Sequence, residues 1–260
     1  MKITVLIDNV AGGKLIAEHG LSYLIEHDGH KILFDTGHSG AFLKNAQNMG
    51  IDIHNNIQTV VLSHGHWDHG DGLRFIKEKT LLTHPDSFIK RYREKDQSYI
   101  GLTLSKNEIK KRFNLITTRE PYYITNKIIF LGGIPRENNF EAQSTTFVDE
   151  QGNQDYVLDD STMAFIQDNE LLVISGCAHS GICNIIEYAK KVSGLKKVKL
   201  IIGGFHLKYN DIQTKKTIEY IKNQKIEHIY PSHCTELPAL AAFYSHFHFL
   251  QVKTGMIFKF

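Results

Sequence analysis

A short apolar run, Thr59-Val60-Val61-Leu62-Ser63, leads without a linker into His64-Gly65-His66-Trp67-Asp68-His69, and Gly70 and Gly72 follow at once. No other feature of the chain limits its fold as sharply. In a chain of this composition such a run has a chance expectation on the order of 10⁻³, which sets it apart from ordinary motif false positives. A strand that ends in a tight turn throws alternate side chains to one side. His64 and His66 can therefore chelate one ion, and Asp68 and His69, on the turn that follows, can face a second. Mixed imidazole and carboxylate donors suit borderline metals, so two transition-metal ions are expected: zinc first, with iron or manganese as alternatives.

The rest of the composition narrows the setting. The chain has 260 residues, enough for one large domain spanning 1–260, and no repeat, low-complexity tract or Ser/Gly/Pro linker marks a boundary within it. Thirty basic against twenty-eight acidic side chains leave a formal charge of +2, which argues for neither nucleic acid nor membrane as a partner. Fifteen histidines are an excess that raises the prior for a metal site. The first ten residues, MKITVLIDNV, read as a strand rather than a signal peptide, and no apolar run approaches the roughly 20 residues a membrane span needs. Three cysteines, Cys177, Cys183 and Cys234, lack CxxC spacing and fit a reducing cytoplasm better than a disulfide scaffold.

Periodicity divides the chain into strands first, then strands alternating with helices. ITVLID, LSYLIEH and KILFD read as strands with a turn at Asp28-Gly29, and GHSGAFLKNAQNMG reads as a helix. LRFIKEK is expected as a helical piece and TLLTHP as a strand. KIIFLGG, YVLDDSTMAFIQ, ELLVISG, KLIIGG and HIYPS are expected as strands, with helices over NIIEYAKKV and KKTIEYIKNQ. Between Lys90 and Lys127 the pattern turns irregular and basic, with ten Lys/Arg against four Asp/Glu, and a lid-like insertion is expected there. This order suggests an α/β fold with two sheets packed face to face and helices outside.

The chain resembles the metallo-β-lactamase superfamily, whose αββα fold carries HxHxDH at the mouth between two sheets. Phe34-Asp35-Thr36-Gly37 is similar to the family's first motif, and Pro231-Ser232-His233 to its last. The resemblance implies a four-layer αββα sandwich of two mixed sheets with outer helices. It implies that Asp35 supports the metal-binding turn from behind and that His233 completes the second metal site. His179, in a small-residue turn after an apolar strand, is the natural third ligand of the first ion, and Cys177 stands where a bridging carboxylate is expected. Cys177 is taken as a supporting residue more than as a ligand, since buried cysteines are usually inert.

The departures from better-known branches, among them Gly133-Ile134-Pro135-Arg136 with Glu141, Gly176-Cys177-Ala178-His179-Ser180-Gly181, Gly203-Gly204-Phe205-His206-Leu207 and Pro231-Ser232-His233-Cys234-Thr235, resemble one branch in particular. It is named for a synthase that joins a dihydropterin to a ribofuranosyl-aminobenzene phosphate. The expected chemistry is metal-activated water attacking an ester or phosphodiester, or metal-assisted loss of a phosphate leaving group. Asp68 would orient the nucleophile or carry its proton. His206 would donate a proton or contact substrate, and Arg136 would clamp a phosphate. The expected partner is a small anionic substrate, pterin-like in the synthase reading; oligomeric state is left open. Two rivals are a non-catalytic metal-binding protein and an iron oxidoreductase of the same fold. Full occupancy of HxHxDH opposes the first, and histidine at position 66 opposes the second.

Overall fold

The first apolar runs of the chain form an antiparallel meander of β1 (Lys2–Ile7), β2 (Ser22–His27) and β3 (His30–Phe34). Asp28 and Gly29 join the last two with φ of 50° and 75°, the positive pair that matches the right-handed twist of a two-residue hairpin. From β3 the sheet turns parallel through β4 (Thr59–Val61), β5 (Thr80–Thr83) and β7 (Asn114–Thr117), while β15 (Ile257–Lys259) flanks β1. The helices of this part are α1 (Ala41–Asn48), α2 (Ile53–Asn56), α3 (Trp67–Gly70) and α4 (Lys106–Arg112). β6 (Arg91–Arg93) pairs with β10 (Phe147–Asp149) apart from the main sheet.

The second sheet repeats the plan. β8 (Tyr122–Thr125), β9 (Ile128–Phe130), β11 (Thr162–Gln167) and β12 (Glu170–Ser175) are antiparallel, and β13 (Val198–Gly204) and β14 (His228–Ser232) continue from β12 in parallel. Parallel neighbours need long crossovers. These are supplied by α5 (Ile182–Ser193) and α6 (Ile212–Gln224), with α7 (Leu237–Phe247) following β14.

The computed structural model describes Met1–Phe260 in full. It divides into two units: residues 1–119, 145–155 and 252–260 in one, residues 120–144 and 156–251 in the other. Each has its own core. In the first, Phe42 and Ala46 of α1 pack with Leu6, Leu24, Leu33 and Val60 of the sheet; in the second, Ile182, Ile185, Ile186 and Ala189 of α5 pack with Val173 and Ile201. That i, i+3, i+4, i+7 stripe is the reason α5 is legible as an amphipathic helix. No helix is long and apolar enough to cross a membrane.

Three expectations change. LRFIKEK is not a helix but a single 3-10 turn over Asp71–Phe75, since Glu78 takes a left-handed φ of 59° and Lys79 is drawn in to donate to the His54 and Ile57 carbonyls. The strand expected from Tyr156 starts only at Thr162, because Val157 at φ 55° breaks extended backbone before the buried pair Asp159 and Asp160. Residues 90–127, expected as one basic insertion, instead supply β6, α4 and β7 to the first unit and β8 to the second. Arg91, one of the ten basic residues counted in it, is fully buried with Nε 3.0 Å from the Asp155 carboxylate.

Candidate metal centre

The turn after β4 is organised from β3. Asp35, just past the end of β3, has a left-handed φ of 56° and is fully buried. A buried carboxylate is costly unless donors surround it. Here the Ser63 amide donates at 2.7 Å, the Ser63 hydroxyl at 2.8 Å and His69 Nδ1 at 2.7 Å. The backbone locks the same contact, with the Thr36 amide donating to the His69 carbonyl at 2.7 Å. Gly65 is required for close approach, since a Cβ there would lie 1.9 Å from the Ser87 carbonyl oxygen.

These bonds fix two tautomers. His69 spends its Nδ1 proton on Asp35, so in the neutral ring Nε2 carries the lone pair. Ser63 has one hydroxyl proton and gives it to Asp35. His64 Nδ1, 2.9 Å from Ser63 Oγ, must therefore donate to that oxygen, which leaves His64 Nε2 as a lone pair too. His64 Nε2 faces His66 Nδ1 at 3.0 Å, close to the ~3.3 Å separating two donors on one tetrahedral ion. Burial, then the neighbouring His69 and His66, hold the His64 imidazole well below the ordinary histidine range, so it is neutral as a ligand must be. Asp68 Oδ2 lies 3.9 Å from His69 Nε2 and 3.3 Å from Nε2 of the exposed His19. The ring of His66 meets Phe147 edge-on at 5.0 Å.

In the second unit the chemistry gathers at the carboxyl ends of three adjacent parallel strands. β12 runs out into Cys177, Ala178 and His179; β13 into Phe205 and His206; β14 into His233 and Cys234. Ala178, His206 and His233 all have positive φ, 56°, 50° and 50°, conformations costly for non-glycine residues and clustered here at the turns that present the side chains. Thr235 ties two of these ends together by accepting the Phe205 amide at 3.0 Å. The rings of His179 and His206 lie 4.2 Å apart, and donor atoms of Cys177, His233 and Cys234 lie within 4.8 Å of one another.

Behind His179, Asp160 accepts the Ser180 amide at 2.9 Å and hydroxyl at 2.7 Å, and burial raises its carboxyl to about 6. Glu141 accepts the Cys183 and Asn184 amides at 2.9 and 3.0 Å at the start of α5. Arg136, expected as a phosphate clamp, braces the backbone instead. Its Nη2 donates to the carbonyls of Tyr156 and Val157, and its charge acts on Asp160.

The first unit thus assembles His64, His66, Asp68 and His69 on Asp35, and the second pairs His179 with His206 and Cys177 with His233. Sequence reasoning missed Ser63, His19 and Cys234. A hydroxyl directly before the first ligand was a usable signal for Ser63. Nothing in the sequence linked His19 to Asp68, because their contact depends on the loop between β1 and β2.

The comparisons with known proteins agree with this geometry. Residues 15–84 match the family model described as the metallo-beta-lactamase superfamily. A solved metal-dependent hydrolase of the beta-lactamase superfamily superimposes with a TM-score of 0.89 at 28% identity, covering 100% of this chain and 99% of that one. The chain belongs to the metallo-β-lactamase superfamily. Within that superfamily it is 32% identical to the 7,8-dihydropterin-6-methyl-4-(β-D-ribofuranosyl)-aminobenzene-5'-phosphate synthase of Methanocaldococcus jannaschii, over 100% of this chain and 97% of the synthase. It is 37% identical to an uncharacterized protein of the same organism, with 92% of each chain covered. The metallo-β-lactamase fold implies divalent metal binding, and the neutral imidazole of His64 and the Asp35-oriented imidazole of His69 fit that requirement.

Proposed function

We propose that the chain is a metal-dependent enzyme acting on a small, anionic, phosphate-bearing substrate, either as a hydrolase or as a transferase related to the pterin-phosphate synthase. The observation that carries the metal reading is the Asp35–Ser63 relay, which presents the Nε2 lone pairs of both His64 and His69. Identity of 32% to the synthase over the whole chain supports the pterin-like substrate, and the likeness to the metal-dependent hydrolase supports the alternative reaction. We read 1–260 as one domain and His64, His66, Asp68, His69, His179 and His233 as the ligands of two ions. Zinc is the first choice of metal, and the reduced cysteines suit a cytoplasmic setting.

Bound metal in such a site supplies Lewis acidity and a water acidic enough to ionise near neutrality. The chain's own groups then divide the proton traffic. Asp68, with His19 Nε2 at 3.3 Å from its Oδ2, orients the nucleophile and holds its proton. His206, its ring tilted against that of His179 at 4.2 Å, donates to the departing oxygen. Arg136 enters this reading as the residue that holds the 156–161 loop.

The test is turnover by zinc-, iron- and manganese-loaded protein on two sets of compounds, with products identified. One set is a phosphodiester and ester panel; the other is a dihydropterin pyrophosphate with ribofuranosyl-aminobenzene phosphate. Activity on a phosphate-bearing compound that disappears in His66→Ala supports the proposal. Metal-loaded protein inert toward both sets would favour a non-catalytic metal binder.

A further inference from the structure

We propose that Cys177 and Cys234 form a redox-active thiol pair that can close a disulfide across the end of β13. The two cysteines follow β12 and β14, which are not neighbours: β13 lies between them. Strands two places apart in a sheet are separated by about 10 Å, beyond the roughly 4.4–6.8 Å Cα separation a disulfide tolerates. The turns beyond the strands remove that obstacle. Both residues fold over the end of β13, their sulfurs lie within 4.8 Å of each other, and the Cys234 thiol donates to the Cys177 carbonyl at 3.4 Å.

Gly204 is what leaves them room. A Cβ at that position would lie 2.5 Å from Cys234 Sγ and 3.2 Å from Cys177 Cα. Any side chain on Gly204 would stand in the space through which the thiols meet. Access is also graded. Cys234 is partly exposed and Cys177 is buried, the arrangement of an attacking thiol with a resolving partner beside it. The third cysteine, Cys183, is buried, and burial together with the neighbouring Glu141 pushes its thiol far up, so it serves as an internal reference.

With a peroxide as oxidant the chemistry balances. Cys234 sulfur attacks one peroxide oxygen, the O–O bond breaks, and the sulfenic acid and one water result. Cys177 sulfur then attacks Cys234 sulfur, the S–S bond forms, the S–O bond breaks, and the second water leaves. Two thiols and one hydrogen peroxide become one disulfide and two waters, and a small dithiol reverses the change. In consequence, on the reading that Cys177 supports and His233 ligates the metals, the bridge would engage the first and pull on the backbone beside the second.

The experiment treats the full-length protein, as purified and after chelator treatment, with hydrogen peroxide, then alkylates it under denaturing conditions. Peptide mapping and intact mass are the readouts. The expected result is loss of two hydrogens, a 177–234 cross-linked peptide, alkylation confined to Cys183 and full reversal by dithiothreitol. Bridging in the chelated sample alone also supports the pair, with metal protecting it. Cys177→Ser and Cys234→Ser should each abolish the cross-link while keeping the wild-type circular dichroism spectrum. Three alkylated cysteines in both wild-type samples, or a bridge that involves Cys183, would overturn the proposal. Bridge formation in a protein that takes up no metal even after reconstitution with zinc or iron would uphold the thiol pair and count against the metal reading separately.

Discussion

The two sets of candidate ligands are built by opposite strategies. In the first unit one buried carboxylate, Asp35, organises a contiguous turn and fixes two histidine tautomers through three hydrogen bonds. In the second, three separate strand ends each deliver one histidine, two of them from left-handed backbone, with cysteines alongside. The first site is rigid because its partners share one acceptor. The second is assembled by sheet register, so its precision depends on β12, β13 and β14 ending level, with Ser175 opposite Gly203 and Gly204 opposite Ser232. Tautomer control is therefore expected to dominate one side, and turn geometry the other.

The largest expected effect probes the strand-end side. His179→Ala should weaken metal binding by more than the about 10- to 100-fold typical of losing an outer hydrogen-bond partner, and Cys177→Ser should weaken it by less. Titration calorimetry with zinc on both variants decides it. Equal losses would make Cys177 a ligand and bring the two sides closer in kind.

A smaller effect is expected on the other side. Asp35→Asn keeps the shape of the acceptor but removes the charge that holds the His69 and Ser63 protons, so zinc affinity should fall about 10- to 100-fold while the fold survives. Affinity within twofold of wild type would mean that the relay does not set ligand basicity.

This contrast also governs what the sequence could reveal. The first site is written in six consecutive residues plus Asp35, and a strand leading into a glycine-rich turn could be recognised with no tertiary information. His179, His206 and His233 were recoverable as candidates because each follows an apolar strand. Their grouping was not, since nothing local states which strands are neighbours. The same limit explains the basic segment: local charge suggested a lid over 90–127, whereas Arg91 is committed to Asp155 and Asn114–Thr117 to the sheet edge. Asp159-Asp160-Ser161 fell inside a run read as strand, and nothing local marked Asp160 as the anchor of Ser180.

The smallest effect concerns that anchor. Burial raises the Asp160 carboxyl from 3.8 to about 6, so the folded protein holds this proton more tightly than the unfolded chain does. The stability Asp160 contributes is full below about pH 4 and is lost as pH rises through about 6. Asp160→Asn still accepts from Ser180 but carries no titrating proton. The wild-type-minus-variant unfolding free energy should therefore drop by about 1–3 kcal/mol between pH 4 and 7. Urea melts at several pH values measure it, and a pH-independent difference would show that Asp160 titrates normally.

The central proposal, that these residues hold two metal ions, is tested most directly by metal content. Protein prepared without chelator and reconstituted with zinc or iron should hold two ions per chain by elemental analysis. His66→Ala and His233→Ala should each lower that number, although the two residues come from different units. Metal content near zero after reconstitution, or full content in both variants, would contradict the account.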